Sequence, residues 1–585
     1  MSLPASTPDG TRFEVWAPDR ERVAVRIGGR EFPLERGDEG WWGALVGGAR
    51  PGEDYWFVLD GETRRPDPRS RFQPQGVHGP SRVVDPTGYR WRDRGWRGIA
   101  REDLVIYELH VGTFSPEGTY RGATRRLDHL LDLGATAVEL MPLAQAPGRW
   151  NWGYDGVNLF APNHHYGNPD DLRGFVDDCH ARGLAVILDV VYNHFGPEGN
   201  YLWDFGPYFS RRHQTPWGPA LNFDGPSNGA VRRFTVENAV YWLEEYHFDG
   251  LRLDAVRLMQ DESEPHITVE IARAVHRWAA GRAYPVHLIA EANVHDPVLV
   301  DPALGEGAYD LLWNDEIPHA LFSAVLGQHR IDARVYRGLE DLGRVLDSGF
   351  VFERERTGIG IVRNDNPERC DLRRMMQGLQ THDQVGNHPA GRRLHQVASP
   401  ALQRVGAAIV MLHPAVPMCF MGEEFAASSP FCFFVDFGDD HLREAVVEGR
   451  KRDYHQHDWG TFVSPVEEET FLRSKLCALE DGDQGMWNWY RALIALRKAW
   501  RAAGVLDPGG LVVEGRPEDG WFRMGLGAGA AEVVINLGRT PIRSPARESV
   551  VLYSGWNRFG GKLGDQIIPE ELPECSALVI SRLAD

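Results

Sequence analysis

The sequence predicts an α/β protein built around a (β/α)8 TIM barrel, with an N-terminal β-sandwich before it and a C-terminal β domain after it. The main observation is a series of eight short apolar runs between residues 104 and 420, mostly separated by helical patterns. Continuous apolar runs are typical of parallel strands that are buried on both faces. The flanking segments instead alternate apolar and polar residues, as antiparallel strands do. The 585-residue length also favours several domains over one.

The apolar runs define the predicted barrel strands, which are 104–109, 135–140, 184–188, 250–253, 286–290, 309–313, 376–380 and 416–420. Helical patterns connect the first five of them, at about 123–133, 170–182, 230–247 and 265–280. Gly134 and Gly183 follow two of these helices, where glycine is a common terminator. The spacing leaves room for two insertions in the barrel. One is Gly-, Pro- and aromatic-rich (195–230), and the other is charged and expected to be mostly helical (325–375).

Short β patterns flank the barrel on both sides. Those before it, at 12–17, 23–27, 40–45 and 54–59, predict a small sandwich. Residues 64–88 are rich in Pro, Arg and Gly and indicate a linker. Those after the barrel, at 532–536, 549–553 and 576–581, predict a second β domain. We therefore expect three domains, with bounds at 1–90, 91–505 and 506–585.

Composition excludes several classes of partner. The net charge of −20 argues against binding to nucleic acid or to an anionic membrane. No window approaches eighteen apolar residues, and the N-terminus lacks the pattern of a secretory signal. The six cysteines are scattered, without a C-x-x-C pair or zinc-ligand spacing. We expect a cytoplasmic enzyme in a reducing compartment.

Charged and polar residues follow four of the predicted strands, at the end of a barrel where reactive groups lie. They are Asp189, Asn193 and His194 after the third strand, Arg252 and Asp254 at the fourth, Glu291 after the fifth, and His382 and Asp383 after the seventh. Arg252 and Asp254 are two residues apart, so they share one face of their strand, and the guanidinium keeps the carboxylate ionised. A structural ion pair would explain this pair alone. Carboxylates at four strand ends favour a catalytic function.

These segments resemble the four signature regions of the α-amylase family of retaining glycosidases and transglycosylases. The regions are 189–194, 248–257, 291–293 and 381–387, in the order typical of the family. The segments 153–162 and 221–223 resemble two further family motifs. Together the resemblance covers most of residues 104–425.

The resemblance implies a role for each residue. Asp254 is the nucleophile, Glu291 is the general acid and then the base, and Asp383 binds sugar hydroxyls and stabilises the transition state. The implied substrate-binding residues are Arg252, which holds Asp254, Asp189, which supports Arg252, Asn193, His194, His382, and Tyr154, which stacks under the sugar. A retaining mechanism predicts that the carboxyl groups of Asp254 and Glu291 are about 5–5.5 Å apart. Some family members bind calcium, but this sequence has no dense oxygen-ligand loop, so we assign no metal and no cofactor.

Three stretches resemble one group in that family, the maltooligosyltrehalose trehalohydrolases: 107–119, 138–143 and 420–431. This implies hydrolysis of the α-1,4 bond beside the terminal trehalose of maltooligosyltrehalose, in a pathway with maltooligosyltrehalose synthase. We expect Glu423, in the loop after the eighth strand, and Trp217 to shape the trehalose pocket. Alternatively, Trp217 belongs to the core of its insertion. The protein is either a monomer or a homodimer.

Two other functions remain open on sequence alone. A branching or debranching enzyme would act on α-1,6 linkages with the same catalytic groups. A catalytically inactive sugar-binding protein would be expected to lack one of Asp254, Glu291 and Asp383, yet all three are present.

Overall fold

The computed structural model describes residues 5–7, 9–327, 330–331, 334–355, 360–453, 462–545 and 549–583. Its centre is a closed barrel of eight parallel strands, which confirms the predicted (β/α)8 fold. The strands are β1 (Ile106–Leu109), β2 (Ala137–Leu140), β3 (Ala185–Val190), β4 (Gly250–Leu253), β5 (His287–Glu291), β6 (Leu311–Trp313), β7 (Met375–Gly378) and β8 (Val416–Phe420). Every strand is buried along its whole length, as the continuous apolar runs indicated.

Alternation along the strands decides which side chains enter the barrel. One buried apolar cluster fills its interior and includes Ile106 of β1, Ala137 of β2, Ile187 of β3 and Ile289 of β5. Because side chains two residues apart share a face, the next inward positions towards the strand ends are Glu108, Glu139, Asp189 and Glu291. The sheet register places Arg252 beside Asp189 and Glu108 beside Glu139. The barrel therefore has an apolar interior and a layer of ionisable side chains at its C-terminal end.

Helices connect most of the strands. They are Leu127–Leu133 after β1, Pro169–Ala181 after β2, Gly229–Glu245 after β3, Ile267–Ala279 after β4, Glu316–Leu326 and Leu339–Ser348 after β6, Pro400–Leu412 after β7 and Gln484–Ala502 after β8. Shorter or peripheral helices are Val111–Phe114, Tyr120–Thr124, His382–Gly386, Leu394–Val397, Asp440–Asp453 and Glu468–Arg473. Gly134 ends its helix with a φ of 97°, a left-handed conformation that glycine adopts without strain. Asn168 starts the helix after β2 through a capping box with Asp171.

The two insertions differ from one another. Residues 195–230 contain a β-hairpin of Phe209–Thr215 and Gly218–Leu221. The expectation that 325–375 is mostly helical is wrong. Its described part holds one complete helix, Leu339–Ser348, and short strand pairs, Arg330–Ile331 with Arg334–Val335 and Phe352–Arg354 with Ile361–Arg363. The charges that suggested a helical surface instead link this helix to the second strand pair, since Arg363 pairs with Asp341 of the helix and with Asp365.

Antiparallel sheets lie on both sides of the barrel in sequence. The N-terminal strands form two sheets, one of Ala5–Thr7, Gly10–Trp16, Trp41–Gly47 and Glu35–Arg36, the other of Arg30–Pro33, Val23–Ile27, Asp54–Leu59, Thr63–Arg65 and Ser81–Arg82. The C-terminal strands form a five-stranded sheet of Val512–Arg516, Trp521–Leu526, Ala531–Asn536, Ser576–Ser581 and Val550–Tyr553. A two-stranded sheet of Ile542–Arg543 and Glu571–Leu572 accompanies it. The three-domain division stays a prediction.

Two observations concern the environment of the chain. Among the described residues, no helix combines the length and the apolar character that crossing a bilayer requires. All six cysteines have free thiols.

Candidate active site

Arg252 is the centre of this layer of ionisable side chains. Its Nη1 donates to Asp189 Oδ2 at 2.9 Å and to Asp254 Oδ1 at 2.8 Å. Its Nη2 lies 3.9 Å from Glu291 Oε2. The guanidinium carbon lies 4.4 Å from the ring centroid of Trp313, which covers one face of it. Arg252 is 2% exposed, so these groups fix its position.

Asp254 has a donor for each carboxylate oxygen. Arg252 bonds Oδ1, and the Asn193 side-chain amide donates to Oδ2 at 2.8 Å. Asn193 also donates to the Asp254 backbone carbonyl at 2.9 Å. The next residue, Ala255, has a φ of 40°, a left-handed conformation that is uncommon outside glycine and is concentrated at functional sites. A carboxylate held by two donors and a fixed backbone is suited to nucleophilic attack.

Glu291 lies at the end of β5 in a different environment. Its Oε2 accepts a hydrogen bond from the Ala255 backbone N–H at 2.6 Å, which links it to the loop that follows Asp254. Burial raises the pKa of Glu291 to about 8, against the lowering effect of Arg252 and with added repulsion from Asp254, Asp315 and Asp383. Glu291 therefore holds a proton near neutral pH, as a general acid requires.

Asp383 is the most open of the three acidic residues, with 47% of its side chain exposed. It lies in the short helix that begins after β7, 3.7 Å from His382 Nε2, and accepts a hydrogen bond from Asn387. Its charge also contributes to the raised pKa of Glu291. The structure thus brings Asp254, Glu291 and Asp383 to one end of the barrel. The separation of 5–5.5 Å between the first two stays a prediction.

Tyr154, His382 and Asp189 form a hydrogen-bonded chain next to Arg252. The Tyr154 hydroxyl donates to Asp189 Oδ2 at 2.6 Å and lies 2.8 Å from His382 Nε2. The rings of Tyr154 and His382 stack at 5.2 Å. Both carboxylate oxygens of Asp189 accept hydrogen bonds from protein donors, which agrees with support of Arg252 rather than contact with substrate.

Trp217 is not part of the core of its insertion. It is 51% exposed at the turn of the hairpin, and its ring lies 4.8 Å from that of His194 at an angle of 31°. His194 in turn bonds Asn193, the residue that holds Asp254. An exposed indole beside the catalytic group is a candidate surface for a sugar ring.

A polar cluster anchors this hairpin. His213 Nε2 lies 2.8 Å from Asp224 Oδ2, and the Glu262 backbone N–H donates to the same oxygen at 3.0 Å. Among the described residues, His213, Asp224 and Glu262 are the one group of three or more His, Cys, Asp or Glu side chains with ligand atoms close enough to share a metal ion. Arg212 pairs with Glu262, so the cluster is an ion-paired link between the hairpin and the loop after β4.

Glu423 is not brought to the catalytic group. Its side chain is fully buried, and its carboxylate accepts hydrogen bonds from Tyr490 at 2.6 Å and from Gln380 at 3.3 Å. The prediction that Glu423 shapes the trehalose pocket is therefore wrong. Its side chain instead supports the loop after β8 through Tyr490 and Gln380. The sequence pattern gave its position after a strand but not the partner on the distant helix Gln484–Ala502.

Replacement of Glu423 by glutamine is expected to lower the free energy of unfolding by about 1–3 kcal/mol, because one buried acceptor becomes a donor. The KM for substrate is expected to stay within about twofold, since no contact with the catalytic group is lost. Thermal unfolding and steady-state kinetics of E423Q check this result. A raised KM at unchanged stability would contradict it and restore Glu423 to the binding site.

Two buried acidic residues near the site were not predicted as site residues. Glu108 of β1 contacts His382, and Glu139 of β2 lies beside it in the sheet. The available signal was an acidic residue inside an otherwise apolar strand, which is costly unless paired or neutral.

The comparisons with known proteins agree with this geometry. A family model described as the alpha amylase catalytic domain matches residues 80–214. With the closed parallel barrel and three acidic residues at its C-terminal end, this match defines a glycosidase of the α-amylase class. A malto-oligosyltrehalose trehalohydrolase from Arthrobacter ramosus is 40% identical over 561 residues, covering 94% of this chain and 96% of that protein. The chain belongs to the malto-oligosyltrehalose trehalohydrolase family.

Two further similarities complete the comparison. A crystal structure from Salmonella typhimurium, provisionally named an alpha amylase, has a TM-score of 0.88 and 34% identity and covers 99% of both chains. A 1,4-alpha-glucan branching enzyme from Vibrio parahaemolyticus is 37% identical over 278 residues, which is 43% of this chain. The branching-enzyme similarity thus covers less than half of the chain.

Proposed function

We propose that this protein hydrolyses the α-1,4 bond next to the terminal trehalose of maltooligosyltrehalose, releasing trehalose and a maltooligosaccharide. The observation that carries the proposal is the unequal environment of two carboxyl groups. Asp254 is held by Arg252 and Asn193, whereas burial leaves Glu291 protonated near neutral pH. One charged nucleophile and one neutral acid are what a retaining glycosidase requires.

In the first step, Asp254 attacks the anomeric carbon of the sugar while Glu291 donates its proton to the glycosidic oxygen. The carbon–oxygen bond to the leaving sugar breaks, trehalose departs, and a glycosyl ester forms on Asp254. In the second step, the ionised Glu291 takes a proton from water, whose oxygen attacks the same carbon. The ester bond breaks and both carboxyl groups return to their starting states.

The other residues serve these steps from fixed positions. Arg252 holds the nucleophile, and Asp189 holds Arg252. Asp383, which is half-exposed, binds sugar hydroxyls and adds negative charge near the developing oxocarbenium ion. Tyr154, His194 and His382 line the ring of the attacked sugar. The Tyr154 hydroxyl already lies 2.8 Å from His382 Nε2, so a sugar hydroxyl that binds this nitrogen would share its N–H with Tyr154.

The test uses maltotriosyltrehalose, with maltopentaose as a substrate of equal length that lacks the 1,1 bond. We expect release of trehalose and maltotriose, and slower hydrolysis of maltopentaose. Production of only glucose and maltose would overturn the assignment. New branch points in amylose, or cleavage of pullulan, would favour the branching or debranching alternative. The partial coverage of the branching-enzyme relative counts against that alternative.

We further propose a cytoplasmic location, since free thiols suit a reducing compartment. The substrate already contains a 1,1 bond, so a reaction that forms this bond at a reducing end must precede hydrolysis. We assign that reaction to a maltooligosyltrehalose synthase. Light scattering distinguishes a monomer from a homodimer.

Replacing Trp217 by alanine is expected to raise the KM for maltotriosyltrehalose by about 3- to 10-fold, because a stacked ring contributes a modest binding energy. The effect on maltopentaose should be smaller if the indole contacts the trehalose unit. Steady-state kinetics on both substrates measure this difference.

Trp203 provides the matched control for that variant. It lies in the same insertion, is 54% exposed, and stacks on Phe209 instead of on His194. We expect W203A to leave both KM values unchanged. Equal effects of W217A and W203A would contradict a specific role for Trp217.

A further inference from the structure

We propose that Glu108 is a positioning residue that fixes the orientation and the charge of His382, and through it the hydrogen-bonded chain that ends at Arg252 and Asp254. The part of this inference that concerns catalysis rests on the proposed function. The supporting observation is a chain of hydrogen bonds that begins at Glu108 on β1 and ends at Arg252 on β4, directly beneath the reacting groups.

Glu108 makes two contacts with the same residue. It is 1% exposed on the inner face of β1. One carboxylate oxygen bonds His382 Nδ1, and the other accepts a hydrogen bond from the His382 backbone N–H at 3.1 Å. The ring and the start of the short helix that carries Asp383 are therefore both tied to β1.

The direction of every hydrogen bond in the chain can be assigned. The Tyr154 hydroxyl has one proton, which it donates to Asp189, since an ionised carboxylate only accepts. The tyrosine oxygen must then accept from His382 Nε2–H. The pKa of His382, raised to about 10, means that both ring nitrogens carry protons near neutral pH, so Nδ1–H donates to Glu108 and His382 is an imidazolium.

The chain continues from Asp189 to the nucleophile. Arg252 Nη1 donates to Asp189 and also to Asp254. Loss of the proton from His382 would remove the donor that orients Tyr154 and alter the charge next to Asp189. Glu108 therefore acts on Asp254 only through intermediate residues, as a group that orients the catalytic layer.

Charge around His382 supports this assignment. Burial alone would lower the pKa of His382, but the negative charges of Glu108 and Asp383 raise it to about 10. The ionisable groups that face the ring from the surrounding elements are Glu108 of β1, His110, Glu139 of β2, Tyr154, Asp189 of β3, Arg252 of β4 and Asp383. Of the carboxyl groups among them, Glu108 is the one that makes a hydrogen bond to the ring.

Glu139 offers a control of the same size in the same layer. It pairs with Glu108 in the register of β1 and β2, and neither of its carboxyl oxygens has a hydrogen-bond partner. Burial, reinforced by the charge of Glu108, raises the pKa of Glu139 well above its ordinary value. Glu139 is thus neutral, and glutamine is close to it in both shape and charge.

The test compares E108Q, E108D and E139Q for hydrolysis of maltotriosyltrehalose between pH 5 and 9. We expect E108Q to lower kcat/KM by about 10- to 100-fold, mainly through kcat, because a charge-assisted hydrogen bond is lost. In the wild type, Glu291 sets the basic limb near pH 8. In E108Q, loss of activity should begin at a lower pH, since His382 would lose its proton more readily. E108D should recover part of the activity, and E139Q should stay within about twofold of the wild type.

Thermal unfolding as a function of pH tests the same inference without substrate. The folded-state pKa of His382, about 10, lies above its unfolded value, so its stabilising effect is complete below about pH 6.5 and is lost as pH rises towards 10. The difference in unfolding temperature between wild type and E108Q should therefore be larger at pH 6 than at pH 9.5. A difference that does not vary with pH, or an equal effect of E139Q, would overturn the proposal. Absence of trehalose release by the wild type would overturn the proposed function and leave this stability readout intact.

Discussion

Asparagine in place of Asp254 is expected to lower kcat for maltotriosyltrehalose by about 10⁴-fold or more, because the amide oxygen is a poor nucleophile and no glycosyl ester forms. The fold should persist, since Arg252 keeps both bonds to Asp189 and Asn193 keeps its bond to the residue 254 carbonyl. Steady-state kinetics and thermal unfolding of D254N measure these outcomes. A loss smaller than about tenfold in a folded variant would mean that another group attacks the sugar.

Glutamine in place of Glu291 is expected to lower kcat by about 10²- to 10⁴-fold, the usual contribution of a general acid. The wild type should lose activity as pH rises through about 8, because the raised pKa of Glu291 means that its proton is lost there. That basic limb should be absent from E291Q. The pH dependence of kcat/KM for both proteins checks this result, and a limb near pH 8 that survives in E291Q would contradict it.

Leaving-group chemistry separates the two variants. A 4-nitrophenyl α-maltotrioside releases a phenolate that needs no proton, so E291Q should form the glycosyl-enzyme from it and D254N should not.

Thermal stability provides a second control for E291Q. Since folding raises the pKa of Glu291, its stabilising effect is present below its unfolded value and is lost as pH rises through about 8. E291Q should therefore unfold at the same temperature or a higher one at pH 9.

The parts of the site that could be predicted from sequence are those that local periodicity determines. The strand 250–253 was predicted with its observed bounds, and the two-residue spacing placed Arg252 beside Asp254, where the structure has a 2.8 Å contact. Burial of β1 to β8 also followed from their composition. These features depend on residues that are neighbours along the chain, so a single sequence contains them.

The parts that could not be predicted depend on contacts between distant residues. Glu108 lies in an apolar run, and its function depends on His382, 274 positions away. Glu423 follows a barrel strand as the catalytic residues do, yet its carboxylate bonds Tyr490 on a later helix. The segment 325–375 was expected to be mostly helical from its charges, yet Arg363 lies in a short strand and pairs with Asp341, 22 positions away in the helix Leu339–Ser348. In each case, tertiary partners decided the outcome.

The anomeric configuration of the first product tests the central claim most directly. If Asp254 forms a glycosyl ester that water then displaces, two inversions occur at the same carbon. Proton NMR of the first maltotriose released from maltotriosyltrehalose should therefore show the α anomer at its reducing end, before mutarotation. Appearance of the β anomer first would mean a single displacement by water and would contradict the assignment of Asp254 as the nucleophile.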